Sequence, residues 1–300
     1  MGRIRLPPTG YYRQPQREGT PVGVSNVSAG LVCDHDQTAA EPEVETTIRR
    51  RRVIRLMALE SAASTHPGFV RAINEDAVLD RREIGLWAVA DGVGGAHAGD
   101  RASQAIVDSL AELPAAASGP EMLQQLQRTL EQVNGRLYGE ALAAGSERPI
   151  ASTVVCLLIQ GDRFFCLWAG DSRLYRLRDR RFEQISRDHS EVQSLLDYGL
   201  ITADEARRHP RANAITRAIG AQQELALDCI MGDVEPGDHF LLCSDGLTKV
   251  VDDAEIALVL EECTPAAAAD RLIGMTLERG APDNVSVATV ATVATSRASC

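Results

Sequence analysis

The chain has 300 residues, 44% of them apolar and 24% charged, with a formal net charge of -11. That length sets the scale at one large domain or two small ones, and those fractions are ordinary for a soluble globular protein. The acidic balance argues against nucleic acid as the main partner, and no apolar stretch approaches the ~18–20 residues that a membrane-spanning helix needs.

Residues 1–56 are rich in Pro, Thr, Ser and Gln and show no sustained periodicity. They include the acidic stretch Glu41–Glu45 and the run Arg49-Arg50-Arg51-Arg52. The expectation is a disordered, Arg-rich N-terminal segment whose arginines form a solvated tail. A second reading takes Met57 as the true initiator, which intact mass of the native protein decides. Position 6 is Leu6, so the myristoylation pattern fails, and no signal-peptide apolar core follows the early arginines.

From Met57 to about Val293 the pattern becomes dense and globular. Strands are expected near Met57–Ser64, Asp76–Asp80, Leu86–Ala90, Thr153–Ile159, Arg163–Ala169, Leu174–Arg178, Leu225–Met231, His239–Cys243 and Val285–Val290. Helices are expected at Gly99–Glu112, Glu121–Ala144, Asp253–Glu261 and Pro265–Arg279. Strands and helices do not alternate strictly, and several strands are joined by short turns. That order favours mostly antiparallel sheets covered by helices over a doubly wound parallel sheet. Residues 190–220 stand apart as a small helical insertion, with Val192, Leu195 and Leu196 on one face, a Gly199 stop and Pro210. Its placement suits a flap beside an active site. Residues 294–300 read as a C-terminal tail.

The seven cysteines are scattered, with no Cys-x-x-Cys pair and no Cys/His zinc spacing. Cys156, Cys166, Cys229 and Cys243 lie in apolar runs and are expected to be buried in a reduced, cytosolic protein. Basic charge is almost all arginine; Lys249 is the only lysine.

Three apolar strands run into aspartates: Gly85–Ala90 into Asp91-Gly92, Phe164–Gly170 into Asp171-Ser172-Arg173, and His239–Ser244 into Asp245-Gly246. A strand that ends in a carboxylate holds it at the rim of a sheet, and a following Gly or Ser lets the backbone turn tightly. Asp283-Asn284 precedes a fourth apolar run. Any single Asp-Gly is more often an ordinary turn. Together the clustered anions would be costly unless cations fill the space between them, and they form an oxygen cage for hard divalent ions. Arg71, ahead of Glu75 and Asp76, suits a phosphate oxyanion held bidentately; its bland alternative is a surface ion pair with Glu75.

Arg71-x-x-Asn74-Glu75-Asp76, Asp91-Gly92-Val93-Gly94-Gly95, Gly170-Asp171-Ser172-Arg173, Ser244-Asp245-Gly246-Leu247 and Asp283-Asn284 resemble, in order and spacing, the signature blocks of metal-dependent type 2C Ser/Thr protein phosphatases. The resemblance implies an α+β fold: a four-layer α-β-β-α sandwich of two mostly antiparallel sheets with a small helical flap. It implies two Mn2+ or Mg2+ ions, with Asp91 bridging both and Gly92 offering its carbonyl. Asp245 and Asp283 would ligate one ion, Glu75 or Asp76 would serve the other, and Arg71 would hold the substrate phosphate. Asp171 matches a ligand of a weak third ion found in bacterial members, whose usual partner ligand is replaced here by Lys249. Where animal members carry a His after Asp-Gly, this chain has Val93, which leaves His97 or a metal-activated water as the proton donor.

The implied activity is hydrolysis of phosphoserine and phosphothreonine on proteins by a metal-activated water, without a covalent intermediate. A finer resemblance covers Leu167–Arg178, Arg187-Asp188-His189-Ser190 and Asn213–Gly220. These runs look like stand-alone bacterial phosphatases linked to type VI secretion, which oppose a Ser/Thr kinase whose target carries a forkhead-associated domain. A cytoplasmic monomer is implied. The alternative from another class is a catalytically silent pseudophosphatase that binds phosphoproteins, and Lys249 is the departure that supports it.

Overall fold

The computed structural model describes residues 57–93, 98–116, 118–145 and 149–294. Within them the chain runs β1 (Met57–His66), β2 (Asp76–Arg81), a short 3-10 turn (Arg82–Ile84), β3 (Leu86–Val93), α1 (Ala98–Ala111) and α2 (Gly119–Ala143). It continues through β4 (Ala151–Ser152), β5 (Val154–Gln160), β6 (Arg163–Ala169), β7 (Arg173–Arg178), β8 (Arg181–Gln184), α3 (Glu191–Asp197), α4 (Ala203–Arg207) and β9 (Asp228–Asp233). It closes with β10 (His239–Cys243), α5 (Asp245–Thr248), α6 (Asp253–Glu262), α7 (Pro265–Glu278) and β11 (Val285–Ala294). The expectations for residues 1–56, for His97 and for residues 295–300 fall outside the described residues.

Two antiparallel sheets result. One has the order β1-β11-β10-β7-β8; the other has the order β2-β3-β5-β6-β9, with β4 pairing β3. Period-2 alternation along buried strands sends side chains to two different cores. On β5, Val155, Leu157 and Ile159 face the layer between the sheets, whereas Val154, Cys156 and Leu158 face the helices. On β10, Phe240 and Leu242 join that central layer, and Leu241 and Cys243 pack toward α6 and α7. Both faces of both sheets are therefore apolar, and four layers follow.

The outer helices fit their roles locally. Ser118 caps α2, and Pro120 stands in its first turn, where a missing N–H costs nothing. Met122, Leu126, Leu130, Val133 and Leu137 then form one buried stripe against the second sheet. Asp252 and Glu255 make a reciprocal capping box at the start of α6.

Several boundaries differ from the sequence expectation. Strand β3 does not stop at Ala90; it continues to Val93, because Gly92 and Val93 pair with Ser152 and Ala151 of β4. Strand β9 begins at Asp228 rather than Leu225, since Leu225 and Leu227 pack against the α1–α2 core before the strand starts. Cys229 is exposed, not buried, because β9 is an edge strand; Cys156, Cys166 and Cys243 are buried as expected. The tight turn expected after β10 is helical, with Asp245 opening α5. Among the described residues, no helix is long and apolar enough to cross a membrane.

Candidate active site

Five carboxylates collect at one end of the sandwich. Asp76 begins β2 and lies directly opposite Asp91 of β3, so pairing places the two side by side. Asp171 lies in the turn that carries the chain from β6 in one sheet to β7 in the other. Asp245 follows β10, and Asp283 precedes β11, the neighbouring strand.

Side-chain hydrogen bonds stitch the two sheets together here. The Ser244 hydroxyl donates to Asp76 Oδ2 at 2.8 Å, and the Ser286 backbone N–H donates to Ser244 Oγ at 3.0 Å. Asn284 acts as a keystone. Its Nδ2 donates to the carbonyls of Pro67 (2.8 Å) and Ile73 (3.0 Å), and its Oδ1 accepts from Glu75 N–H at 2.8 Å. One amide thus fixes both ends of the 67–75 loop that carries Arg71 and Glu75. Gly246 must be glycine for a steric reason: a Cβ there would lie 1.8 Å from the Asn284 carbonyl oxygen.

The electrostatics are those of anions gathered in a poor solvent. Burial pushes Asp76 up to about 7; the nearby Ser286 and Ser244 hydroxyls oppose this, and Asp245 and Asp283 add to it. Asp171 is pushed up to about 7, first by burial and then by Asp245 and Asp188. Asp91 is held well above its ordinary value by burial and by Asp76, Asp245 and Asp171. Asp245 is raised by burial, which Lys249 offsets in part. Asp283 goes the other way: burial would raise it, but Lys249 and Arg71 outweigh burial and hold it low. Raised carboxylates of this kind are anions lacking counter-charge.

Two cations stand among them. Arg71 engages Asp283 through Nε at 2.8 Å and Nη2 at 3.1 Å, so its expected alternative partner, Glu75, is not the one it takes. Lys249 Nζ lies 2.7 Å from Asp245 Oδ2 and 2.7 Å from Asp283 Oδ2. Among the described residues, no three acidic, His or Cys side chains close into a ready-made cage. The donor set still fits hard divalent cations: every candidate donor is oxygen, most are carboxylates, and Asp76 Oδ1 is buried with no hydrogen-bond partner. Glu75 is half-buried and leans toward Gly99 of α1, while its carbonyl accepts the Gly92 N–H at 3.0 Å.

A cleft of about 370 Å³ opens beside the carboxylates. It is lined by Asp171, Asp245 and Lys249 together with Val192, Leu196 and Ala206 of the helical insertion. The insertion is fastened at its base. Asn134 of α2 accepts Gly220 N–H at 2.7 Å and donates to the Gln222 and Gln223 carbonyls at 3.0 and 3.2 Å. Arg173 and Asp188 form a bidentate pair in the same cleft, with Nη2 to Oδ2 at 2.7 Å and Nε to Oδ1 at 3.0 Å.

The residues named from sequence, Arg71, Asp76, Asp91, Asp171, Asp245 and Asp283, are brought to this one place, and Glu75 and Gly92 border it. Sequence reasoning missed the positioning roles of Ser244, Asn284 and Asn134. Ser244 and Asn284 adjoin motif aspartates. Asn134 interrupts the apolar stripe of α2, a legible sign of a buried polar anchor.

Known proteins place this geometry. The model for protein phosphatase 2C matches residues 71–278. The serine/threonine protein phosphatase PstP of Mycobacterium tuberculosis is 37% identical over 231 residues, covering 77% of this chain and 44% of PstP, so the chain spans less than half of that relative. The serine/threonine phosphatase stp of Listeria innocua is 33% identical over 231 residues, covering 74% of this chain and 92% of stp. The solved structure of PppA, described as a key regulatory component of T6SS in Pseudomonas aeruginosa, is 48% identical with a TM-score of 0.74, covering 79% of this chain and 100% of PppA. The PstP catalytic domain in complex with two manganese ions is 35% identical with a TM-score of 0.72, covering 79% of this chain and 100% of that domain. With more than half its length matched and its site blocks assembled at one end of a four-layer sandwich, this chain belongs to the protein phosphatase 2C family.

Proposed function

We propose that this chain hydrolyses phosphoserine and phosphothreonine on proteins in a divalent-cation-dependent reaction, and so reverses a Ser/Thr kinase. The observation that carries the reading is the cluster of under-neutralised carboxylates, including the orphaned Asp76 Oδ1, with Arg71 paired to Asp283 and a cleft opening at Asp171 and Asp245. Asp76, Asp91, Asp245 and Asp283, with Glu75 and the Gly92 carbonyl, would hold two Mn2+ or Mg2+ ions; Asp171 would serve a weaker third. Bound there, such ions supply Lewis-acid activation of water and neutralise phosphoryl charge.

The chain's own groups do the rest. Arg71 has a half-exposed guanidinium with a planar fork, suited to two phosphoryl oxygens once it turns from Asp283. Asn284 keeps that loop in register with Asp283. Ser244 fixes the orientation of the Asp76 carboxylate. The helical insertion at residues 190–220 shields the cleft from one side and acts as a flap over the substrate peptide. Residues 57–293 form the catalytic domain.

Similarity to PppA along all of that protein's length supports a place in the control of type VI secretion. We propose a phosphorylated forkhead-associated-domain protein and its kinase as partners, and action as a cytoplasmic monomer. The pseudophosphatase reading is favoured by one observation: Lys249 and Arg71 already occupy Asp283. Manganese-dependent phosphate release from a phosphothreonine peptide decides between them, with EDTA and Asp245→Asn as controls. Turnover that both controls abolish is the expected result. Folded protein without turnover in any divalent ion overturns the proposal in favour of the binding module.

A further inference from the structure

Lys249 follows the single turn of α5, four residues after Asp245, so its side chain returns over that carboxylate. Its ammonium lies midway in a bridge, 2.7 Å from an oxygen of Asp245 and 2.7 Å from an oxygen of Asp283. These are the two carboxylates assigned above to one divalent cation, and the inference rests on that assignment. The side chain is only 25% exposed, so the ammonium is held between the two carboxylates rather than in solvent. An ammonium is a compact charge with rotatable donors, able to meet two carboxylates at once. Every other Lys-or-Arg position in this chain is Arg, and the one Lys stands where a side-chain cation bridges two carboxylates.

We propose that Lys249 is an internal counter-cation that competes with a divalent cation for Asp245 and Asp283. Entry of the ion between these carboxylates requires the ammonium to leave. The chain therefore binds metal more weakly than the same carboxylates would without Lys249, and is better folded than they would allow when metal is scarce. The device raises the free Mn2+ or Mg2+ concentration at which the site fills.

Titration calorimetry of MnCl2 into the full chain tests this, alongside thermal melts in EDTA, for wild type, Lys249→Met, Lys249→Gln and Lys249→Arg. The Met and Gln variants should bind Mn2+ on the order of tenfold more tightly and melt lower than wild type in EDTA, whereas the charge-retaining Arg variant should stay within about twofold of wild-type affinity. A lysine with a merely structural role lowers the melting temperature without tightening metal binding. Unchanged or weaker Mn2+ affinity in the folded Met and Gln variants overturns the proposal, as does tightening by the Arg variant equal to theirs. The Asp245→Asn variant separates the two levels. Wild type that binds no Mn2+ sinks the metal assignment itself, while binding that Asp245→Asn abolishes and Lys249→Met leaves unaltered sinks only the competition.

Discussion

Replacing Asp76 by Asn should stabilise the metal-free chain, against the usual direction of substitutions at buried sites. Asp76 is 8% exposed; Oδ2 accepts one hydroxyl bond from Ser244, and Oδ1 accepts none. Burial moves its carboxyl from 3.8 to about 7. A displacement of that size corresponds to a ceiling on the order of 4 kcal/mol. The folded-state value lies above the unfolded one, so the favourable contribution is complete below about 3.8 and is lost as pH rises toward about 7. At pH 8 in chelator, wild type bears the full cost of a buried, under-bonded anion. Asn keeps the shape and the Ser244 bond but brings an amide donor that needs a partner, which reduces the gain to about 1–3 kcal/mol. Urea unfolding in EDTA at pH 8 and near pH 4 measures it, and the difference between the proteins should vanish at the lower pH. With Mn2+ present the order should reverse, because only wild type gains the full stabilisation of a bound ion. An Asp76→Asn protein less stable than wild type in EDTA at pH 8 would refute the reasoning.

Other substitutions probe the scaffold and the phosphate site. Asn284→Ala removes three hydrogen bonds, and urea unfolding should show a loss of about 2–4 kcal/mol, with phosphate release falling in parallel. Gly246→Ala drives a Cβ into the Asn284 carbonyl and should lower both the melting temperature and Mn2+ affinity, whereas Gly274→Ala on α7, with open space around it, should stabilise by roughly 0.5–1 kcal/mol. Arg71→Ala should raise KM for a phosphopeptide by about tenfold or more. Its unfolding free energy should change by less than about 1 kcal/mol, because the guanidinium is 52% exposed.

The elements that were legible are those with one strong period. Strands β6 and β10 match the expected bounds, and α2 lies within two residues of them, because continuous apolar runs and an i, i+3, i+4 stripe leave little choice. What escaped were features whose cause is another segment. Strand β4 is two residues long and exists only because β3 runs on past Asp91 to receive it. Strand β8, Arg181–Gln184, is polar and partly exposed, and its partner β7 defines it. The carboxylates of the site were readable because each adjoins an apolar strand. The partners of Ser244, Asn284 and Asn134 were not, because those side chains act through backbone groups more than 80 residues away in sequence or through a carboxylate 168 positions distant.

The central apolar layer has a second consequence. Asp76 and Asp91 ride on one sheet, while Asp245 and Asp283 ride on the other. The thickness and slip of the layer between them, set by Trp87, Val155, Leu157, Phe240 and Leu242, act as a caliper on the separation of the two carboxylate pairs. Packed interiors transmit a change of even one methylene. With ions held by these carboxylates as proposed, residues that meet neither substrate nor ion would tune ion preference, and drift in this layer among relatives would register as altered preference between cations of different radius before it registered as loss of fold.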